Sequence, residues 1–313
     1  MTFSSMLRRI IPGSSKRFAH RFSASARLAR QLSPYLCGSV CIDVGASYYP
    51  HTKWEIFLAS PETRWVAVEP NEKNLGYVKQ WHWPSQVSSV TLGLSRAGGP
   101  QTLHITNIDS GSSLLPPVIS PNLKYRVTNH DYFFPVRTKV IETLTLSQVV
   151  EGVPVVAPVF VKLDTQGTEL SILQGAESLL RSHRIIGIEM EATLLAQPIM
   201  QGAGKLWEAC QYLEDLGFEM LRIDPIYGPS RLGIPRPQGR TFLNECDAVF
   251  AVRQDIAATL APDYRLALMA FGLANGFFED ALVALRNDAE VRELLERRGC
   301  NVSNFSRYIR ALA

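Results

Sequence analysis

The sequence has few cysteines and no long apolar run. Its five cysteines among 313 residues form no CxxC spacing, which favours reduced thiols in a cytosol over a disulfide framework or a zinc site. No window approaches the roughly 18 apolar residues that a membrane-spanning helix needs. There is no internal repeat, and 46% hydrophobic and 19% charged residues are typical of a globular protein. The sequence therefore excludes fibrous and low-complexity classes and predicts a cytoplasmic localisation.

Acidic residues are missing from the chain before Asp43, whereas seven arginines and lysines occur there. Since the net charge of the whole chain is only +3, the rest is mildly acidic, and we predict no nucleic-acid partner. The basic, Ser-rich leader (residues 1–36) has three open interpretations: a solvated tail, a peripheral segment on an anionic membrane, or a mitochondrial transit peptide. It lacks a continuous apolar segment, which argues against a secretory signal.

Short β-branched runs alternate with helical patterns after the leader. Strands are predicted at 40–45, 64–70, 88–94, 159–164, 185–189, 218–223 and 248–252. Helices are predicted at 49–60, 71–81, 168–181 and 206–216, and a hairpin arm near 102–106. This order predicts an α/β fold with a doubly wound, mostly parallel sheet that is covered by helices on both faces.

The C-terminal part of the chain has a different pattern, helical throughout and dense in Leu, Met and Phe. We therefore predict three parts: the leader (1–36), an α/β domain (37–254) and an all-helical C-terminal appendage (255–313). Packing of the appendage on the sheet explains its apolar density, and a homodimer interface is the alternative.

Carboxylates follow four of the predicted strands at the point where each strand ends. They are Asp43, Glu69, Asp164 and Glu189. In open α/β sheets, ligands bind at the carboxyl ends of the strands, near the point where the strand order reverses. We therefore expect these side chains on one rim of the sheet, although a solvated acidic cap is the alternative for each of them.

The first two strand ends indicate a cofactor that contains a nucleoside. Gly45 permits a tight turn, and Glu69 stands where a carboxylate can accept both hydroxyl hydrogens of a ribose. A dinucleotide needs a GxGxxG turn for its pyrophosphate, and the sequence after the first strand has no such motif. The carboxylate of Asp43 repels phosphate but suits the cationic amino-acid end of S-adenosylmethionine. S-adenosylmethionine is therefore the predicted cofactor.

Several segments of the sequence carry a family resemblance, and the longest is the most specific. They include Ile42-Asp43-Val44-Gly45-Ala46, Val68-Glu69-Pro70-Asn71, Gly111-Ser112-Ser113-Leu114 and Phe160-Val161-Lys162-Leu163-Asp164-Thr165-Gln166-Gly167-Thr168-Glu169-Leu170. The chain resembles the FkbM-type methyltransferases, which are class I enzymes dependent on S-adenosylmethionine, over roughly residues 38–253. The resemblance implies O-methylation of a sugar, a glycan or a secondary metabolite.

The resemblance also assigns candidate cofactor-binding residues. It implies that Asp43 and Gly45, with the adjacent Ala46, lie by the methionine portion of the cofactor and that Glu69 lies by the ribose. Leu94 or Ser95 is expected near the adenine.

The first turn departs from the family pattern at two positions. Ser47 and Tyr49 stand where the family usually has asparagine and glycine. This departure keeps open a catalytically silent methyltransferase fold that acts as a binding module. A nicotinamide-dependent oxidoreductase is a second alternative, which the missing glycine-rich turn disfavours.

Asp164 is the candidate general base for a hydroxyl acceptor, with Lys162 two residues earlier on the same side of the pleat. A lysine beside a carboxylate weakens it as a base, so Asp164 acting to orient the acceptor is the alternative. His51 and His130 are reserve candidates. Glu169 lies in the first turn of a predicted helix, where the helix dipole favours an anion, so a structural and a functional role both stay open.

Acceptor selectivity is expected in two irregular stretches, 109–132 and 224–240. The second carries Arg231, Arg236 and Arg240, which either bind a phosphate or carboxylate of the substrate or are solvated loop charges. No cluster of metal ligands is apparent, and no metal site is predicted.

Overall fold

The computed structural model describes residues 28–119, 133–153, 157–228 and 243–313, apart from residues 29, 37, 49, 51, 79 and 81. Most of the leader lies outside the described residues. So do several predicted site residues, which are Tyr49, His51, His130, Arg231, Arg236 and Arg240.

The described chain alternates strands and helices as predicted. The strands are β1 (Val40–Val44), β2 (Arg64–Val68), β3 (Gln86–Val90), β4 (Gly93–Leu94), β5 (Gly99–Thr106), β6 (Pro135–Leu144), β7 (Val159–Leu163), β8 (Ile185–Thr193), β9 (Phe218–Tyr227) and β10 (Leu243–Val252). The α-helices are α1 (Glu55–Leu58), α2 (Glu72–Val78), α3 (Leu146–Glu151), α4 (Glu169–Gln174), α5 (Glu177–Arg181), α6 (Leu206–Asp215), α7 (Gln254–Ala257), α8 (Pro262–Ala274), α9 (Phe278–Asn287), α10 (Ala289–Arg297) and α11 (Val302–Arg310). Short 3₁₀ helices occur at Ser33–Tyr35, Thr52–Trp54 and Asp109–Gly111.

The main sheet has seven strands in the order β3-β2-β1-β7-β8-β10-β9. Strands β1, β2, β3, β7 and β8 pair in parallel, whereas β10 pairs antiparallel with both β8 and β9. The central strands read as continuous apolar runs because helices cover both of their faces. The prediction of a doubly wound, mostly parallel sheet with a helical C-terminal region is confirmed.

Two predicted elements are divided in the structure. The strand predicted at 88–94 becomes β3 in the main sheet and the short β4, which pairs with β6. The helix predicted at 168–181 becomes α4 and α5 because the chain turns at Gly175, where a Cβ atom would lie 2.3 Å from the carbonyl oxygen of Arg96. In addition, the helix predicted at 49–60 shortens to a 3₁₀ turn and α1.

The predicted arm near 102–106 belongs to a second, three-stranded sheet with the order β4-β6-β5. Its two long strands, β5 and β6, pair antiparallel from Gly99 opposite Thr143 to Thr106 opposite Pro135. We call this pair of strands the arm. It stands beside the carboxyl ends of the main sheet, where it forms one wall of the site described below.

The C-terminal helices share one hydrophobic core with the main sheet. The ring of Phe271 in α8 lies 5.0 Å from that of Phe160 in β7 and 5.7 Å from that of Trp54. Packing on the sheet thus accounts for the apolar density of this region.

Part of the predicted leader also packs in this core. Leu28, Leu32 and Leu36 are buried there, and Arg298 of the C-terminal region donates a hydrogen bond to the carbonyl oxygen of Leu36. The boundary predicted at residue 36 therefore falls within a segment that is packed against the rest of the protein. Within the described residues, no helix is both long enough and apolar enough to cross a membrane.

Candidate active site

A cleft lies where the strand order of the main sheet reverses. From β1 the chain proceeds to β2 and β3 on one side, whereas β7 and β8 lie on the other side. A cleft of about 680 Å³ opens at the carboxyl ends of β1, β2 and β7, which is the position expected for a ligand in such a sheet. Four of the predicted site residues line it: Gly45, Glu69, Leu94 and Asp164.

The turn after β1 is tight because it packs against the end of β7. Gly45 has a φ angle of +77°, and a Cβ atom at this position would lie 1.9 Å from the backbone oxygen of Asp164. The amide of Gly45 donates to the carbonyl of Val68, and the amide of Asp164 donates to that of Val44. The tight turn expected at Gly45 is present. The absence of a Cβ atom there also lets β7 approach the turn, and Gly45 lines the cleft.

Ser47 follows this turn and faces the cleft. It is among the lining residues, and its buried hydroxyl has no hydrogen-bond partner within the described part of the chain. A buried hydroxyl without a partner is costly, so this oxygen is available to a bound ligand.

Asp43 lies below the cleft and does not line it. Its side chain is buried, and Oδ1 is 3.2 Å from Nζ of Lys162, the residue opposite to it on β7. Burial raises the pKa of Asp43, and the ammonium of Lys162 opposes that shift. The position of Asp43 therefore does not support the expectation that it contacts the methionine portion of the cofactor, because its carboxylate is engaged by Lys162.

Lys162 connects this buried carboxylate to the cleft. Nζ also lies 3.5 Å from Oδ2 of Asp164. Although burial acts to lower the pKa of Lys162, the charges of Asp43, Asp164 and Glu189 raise it above its ordinary value. Lys162 is therefore a permanent cation that positions Asp164.

The same charge network extends to β8, where sequence analysis identified only Glu189. Its carboxylate is 2.8 Å from Nζ of Lys53 and accepts a hydrogen bond from Nε1 of Trp54 at 2.9 Å. Lys53 and Trp54 belong to the 3₁₀ turn after β1 and are buried. No sequence motif marks these two residues, since only the packing of that turn on β8 brings them to Glu189.

Glu69 ends β2 and lines the cleft. One carboxylate oxygen accepts the amide hydrogen of Asn71 at 2.9 Å, and the side chain of Asn74 also donates to the carboxylate. Burial raises the pKa of Glu69 to about 7 despite these two donors. A carboxylate has about four acceptor positions, so Glu69 keeps capacity for further donors from a ligand.

Asp164 lines the cleft beside Glu69 and is partly exposed. Besides Lys162, it contacts Nε2 of Gln166, which donates to Oδ1 at 3.1 Å and to Glu191 at 2.6 Å. Lys162 and Gln166 thus hold the Asp164 carboxylate from two directions, and one edge of it faces the cleft.

Glu169 organises the loop that follows Asp164. Its buried carboxylate accepts hydrogen bonds from the amide of Thr165 at 2.7 Å and from the amide of Gly167 at 2.9 Å. Both amides belong to the loop that carries Gln166, which adopts a positive φ of 58°. Of the two roles left open for Glu169, the structure supports the structural one.

The two remaining candidate cofactor residues do not line the cleft. Ala46 is buried, and its amide donates to the carbonyl of Val68 at 3.2 Å. The hydroxyl of Ser95 is 2.7 Å from that of Thr143 and accepts the amide hydrogen of Gly98. Its neighbour Leu94 lines the cleft, so the structure favours Leu94 over Ser95 as the residue that contacts a ligand.

Among the described residues, no group of three or more His, Cys, Asp or Glu side chains is arranged to hold a metal ion.

Comparison with known families matches residues 43–220 to the Methyltransferase FkbM domain. The chain belongs to the FkbM methyltransferase family. The matched range begins at Asp43 and includes Glu69, the Asp164 loop and the arm. The prediction of S-adenosylmethionine as cofactor agrees with membership of this family.

Solved structures similar to this FkbM methyltransferase include other methyltransferases. A precorrin-6y C5,15-methyltransferase from Geobacter metallireducens GS-15 is 14% identical, with 79% of this chain and 93% of that chain covered and a TM-score of 0.36. The N-methyltransferase NodS from Bradyrhizobium japonicum WM9, in complex with S-adenosyl-l-homocysteine, is 10% identical, with 79% and 92% covered and a TM-score of 0.33. Similarity at this level transfers neither substrate nor mechanism to the FkbM protein. No curated protein sequence matches the chain.

Proposed function

We propose that the protein transfers a methyl group from S-adenosylmethionine to a hydroxyl oxygen of a small-molecule or glycan acceptor. The observation that carries the proposal is the Glu69 carboxylate, which lines the cleft at the end of β2 next to the Gly45 turn. Family membership supports methyl transfer, and this position of Glu69 supports a ribose at the end of β2.

The residues around the cleft fit this cofactor. The volume of about 680 Å³ is within the range of ligand pockets. Glu69 keeps acceptor positions for ribose hydroxyls, and Ser47 contributes a hydroxyl that has no partner in the described part of the chain. The carboxylates of Glu69, Asp109 and Asp164 line the same cleft and favour a cationic ligand.

S-adenosylmethionine, when bound, supplies a methyl group on a positively charged sulfur. A hydroxyl acceptor must lose its proton as it attacks, and Asp164 is the carboxylate in the cleft that we assign to this step. Lys162 and Gln166 hold Asp164 in position. The arm forms one wall of the cleft.

Replacement of Glu69 by glutamine should weaken the binding of S-adenosylhomocysteine by about 1–3 kcal/mol, because ribose hydroxyls would lose a charged acceptor. Isothermal titration calorimetry on the full chain measures this change. Glu72→Gln is the matched control, since Glu72 is exposed on the same rim of the cleft and its loss removes the same charge. Equal affinities of E69Q and the wild type would contradict the assignment of Glu69.

Titration of the wild-type protein also separates the alternative functions. No heat with millimolar S-adenosylhomocysteine in a folded sample would support a catalytically silent binding module. Fluorescence of bound NADH would support a nicotinamide-dependent enzyme instead.

The affinity for S-adenosylhomocysteine should depend on pH through Glu69. Because burial raises the pKa of Glu69 to about 7, part of the protein carries a neutral carboxyl at neutral pH. Ribose hydroxyls donate to the charged form, so affinity should rise with pH through about 7 and level off above it. Below that range it should fall by up to about tenfold per pH unit.

Calorimetry between pH 5.5 and 8.5 checks this dependence. The carboxylates of Asp43 and Asp109 face Glu69 and contribute to its pKa shift, so the pH series is repeated on E69Q. The rise should be absent in that variant. If affinity rose equally with pH in E69Q, the rise would come from the titration of another group.

Two predicted associations extend this proposal: peripheral contact of the leader with an anionic membrane and a homodimer through the C-terminal helices. Both stay predictions.

A further inference from the structure

Two cations of the arm face the cleft. Arg137 and Lys139 are two residues apart on β6, so their side chains emerge on the same face of the strand. Both line the cleft, and both lie in an exposed part of β6. Within the described part of the chain, the structure gives neither of them an ion pair. Their charges are therefore available to a ligand.

The same face of the arm is apolar beside these cations. Leu103 lies opposite Lys139, and Ile105 lies opposite Arg137, in the antiparallel register of β5 and β6. Directly opposed residues of an antiparallel pair share one face, and both of these side chains line the cleft. This wall of the cleft thus combines two positive charges with an apolar surface.

Most of the carboxylates that line the cleft lie apart from these two cations. The exception is Glu142, which lies on β6 three residues after Lys139 and, by the alternation of the strand, on its other face. Glu69 and Asp164 end strands of the main sheet, and Asp109 follows the end of β5. These carboxylates disfavour an anion at the rim of the main sheet, where we place the cofactor. Next to Arg137 and Lys139 the local charges instead favour an anionic group.

We propose that the methyl acceptor carries an anionic group, a phosphate or a carboxylate, next to an apolar moiety. Arg137 and Lys139 bind the anion, and Leu103 and Ile105 contact the apolar part. This inference rests on the proposed function, because it names the acceptor class of the same site. The separated charges orient the acceptor, with its anionic end on the arm and its hydroxyl towards Asp164.

Three probes with one ring system test the proposal: 1-naphthyl phosphate, 1-naphthoate and 1-naphthol. Each is titrated into the full chain saturated with S-adenosylhomocysteine, and binding is followed by probe fluorescence. The wild type should bind both anions at least about tenfold more tightly than 1-naphthol, and high salt should weaken that binding. The R137Q/K139Q double variant should lose about tenfold in affinity for the anions and little for 1-naphthol.

Arg96→Gln is the control for loss of a positive charge. Arg96 is exposed just after β4 and does not line the cleft, so R96Q should bind all three probes like the wild type. Calorimetry with S-adenosylhomocysteine shows whether each variant keeps a folded cofactor site.

The outcomes separate the two proposals. Absence of S-adenosylhomocysteine binding in the wild type would contradict the proposed function. Normal S-adenosylhomocysteine binding with no preference for the anionic probes would overturn the anionic acceptor. An equal preference for the anionic probes in the wild type and in R137Q/K139Q would also overturn it.

Discussion

Gly45→Ala should destabilise the protein by at least about 3 kcal/mol. The new methyl group would lie 1.9 Å from the backbone oxygen of Asp164, and backbone atoms of two paired strands cannot move apart without breaking their hydrogen bonds. The positive φ of Gly45 adds strain of about 1–2 kcal/mol for a residue with a Cβ atom. Urea denaturation followed by circular dichroism measures the change, and low soluble yield is the expected practical sign.

Gly202→Ala is the control that separates backbone strain from the contact. Gly202 has a φ of +80°, close to that of Gly45, but a Cβ atom there would meet no atom within 4 Å. The control should therefore lose only the strain, about 1–2 kcal/mol. Similar losses of stability in the two variants would show that the close approach of β7 to Gly45 does not add to the destabilisation.

Asp164→Asn should reduce methyl transfer by a factor of about 10² to 10⁴, since an amide cannot accept the proton of a hydroxyl acceptor. The binding of S-adenosylhomocysteine should remain within about twofold of the wild type, because Asp164 is assigned to the acceptor and not to the cofactor. Transfer of radiolabelled methyl groups into a metabolite fraction that the wild type methylates measures the first effect. Calorimetry measures the second.

Retention of most activity in D164N would contradict the role of Asp164 as a base and would support the alternative, in which it only orients the acceptor. Asparagine keeps the hydrogen-bonding shape of aspartate, so an orienting role survives this substitution better than proton transfer does. A parallel loss of S-adenosylhomocysteine binding would instead indicate damage to the loop, which Glu169 and Gln166 hold in place.

The order of strands and helices could be predicted from the sequence because each element has a local signature. Val159–Leu163 begins with three consecutive apolar residues, two of them β-branched, which predicts a buried strand without knowledge of its neighbours. The rule that ligands bind at the carboxyl ends of strands then placed Glu69 and Asp164 on one rim. Both residues line the cleft.

Local sequence patterns could not predict that the strand expected at 88–94 is divided into β3 and β4. The segment 88–94 has one continuous strand pattern, yet its end leaves the main sheet to pair with β6. That partner lies far along the chain, and local periodicity carries no information about it. The arm, with Arg137 and Lys139, was missed as part of the site for the same reason.

The sequence alone thus determined the α/β class, the position of the carboxylates at strand ends and the resemblance to one family, since these depend on local pattern and motif. Only the tertiary structure decided which carboxylate meets the cleft. Asp43 and Glu69 look equivalent in sequence, each at the end of a strand. Asp43 lies opposite Lys162 on the next strand and forms an ion pair with it, whereas Glu69 has no such cation among the residues that the structure describes and lines the cleft. Strand register sets this difference, and register is a property of two strands together.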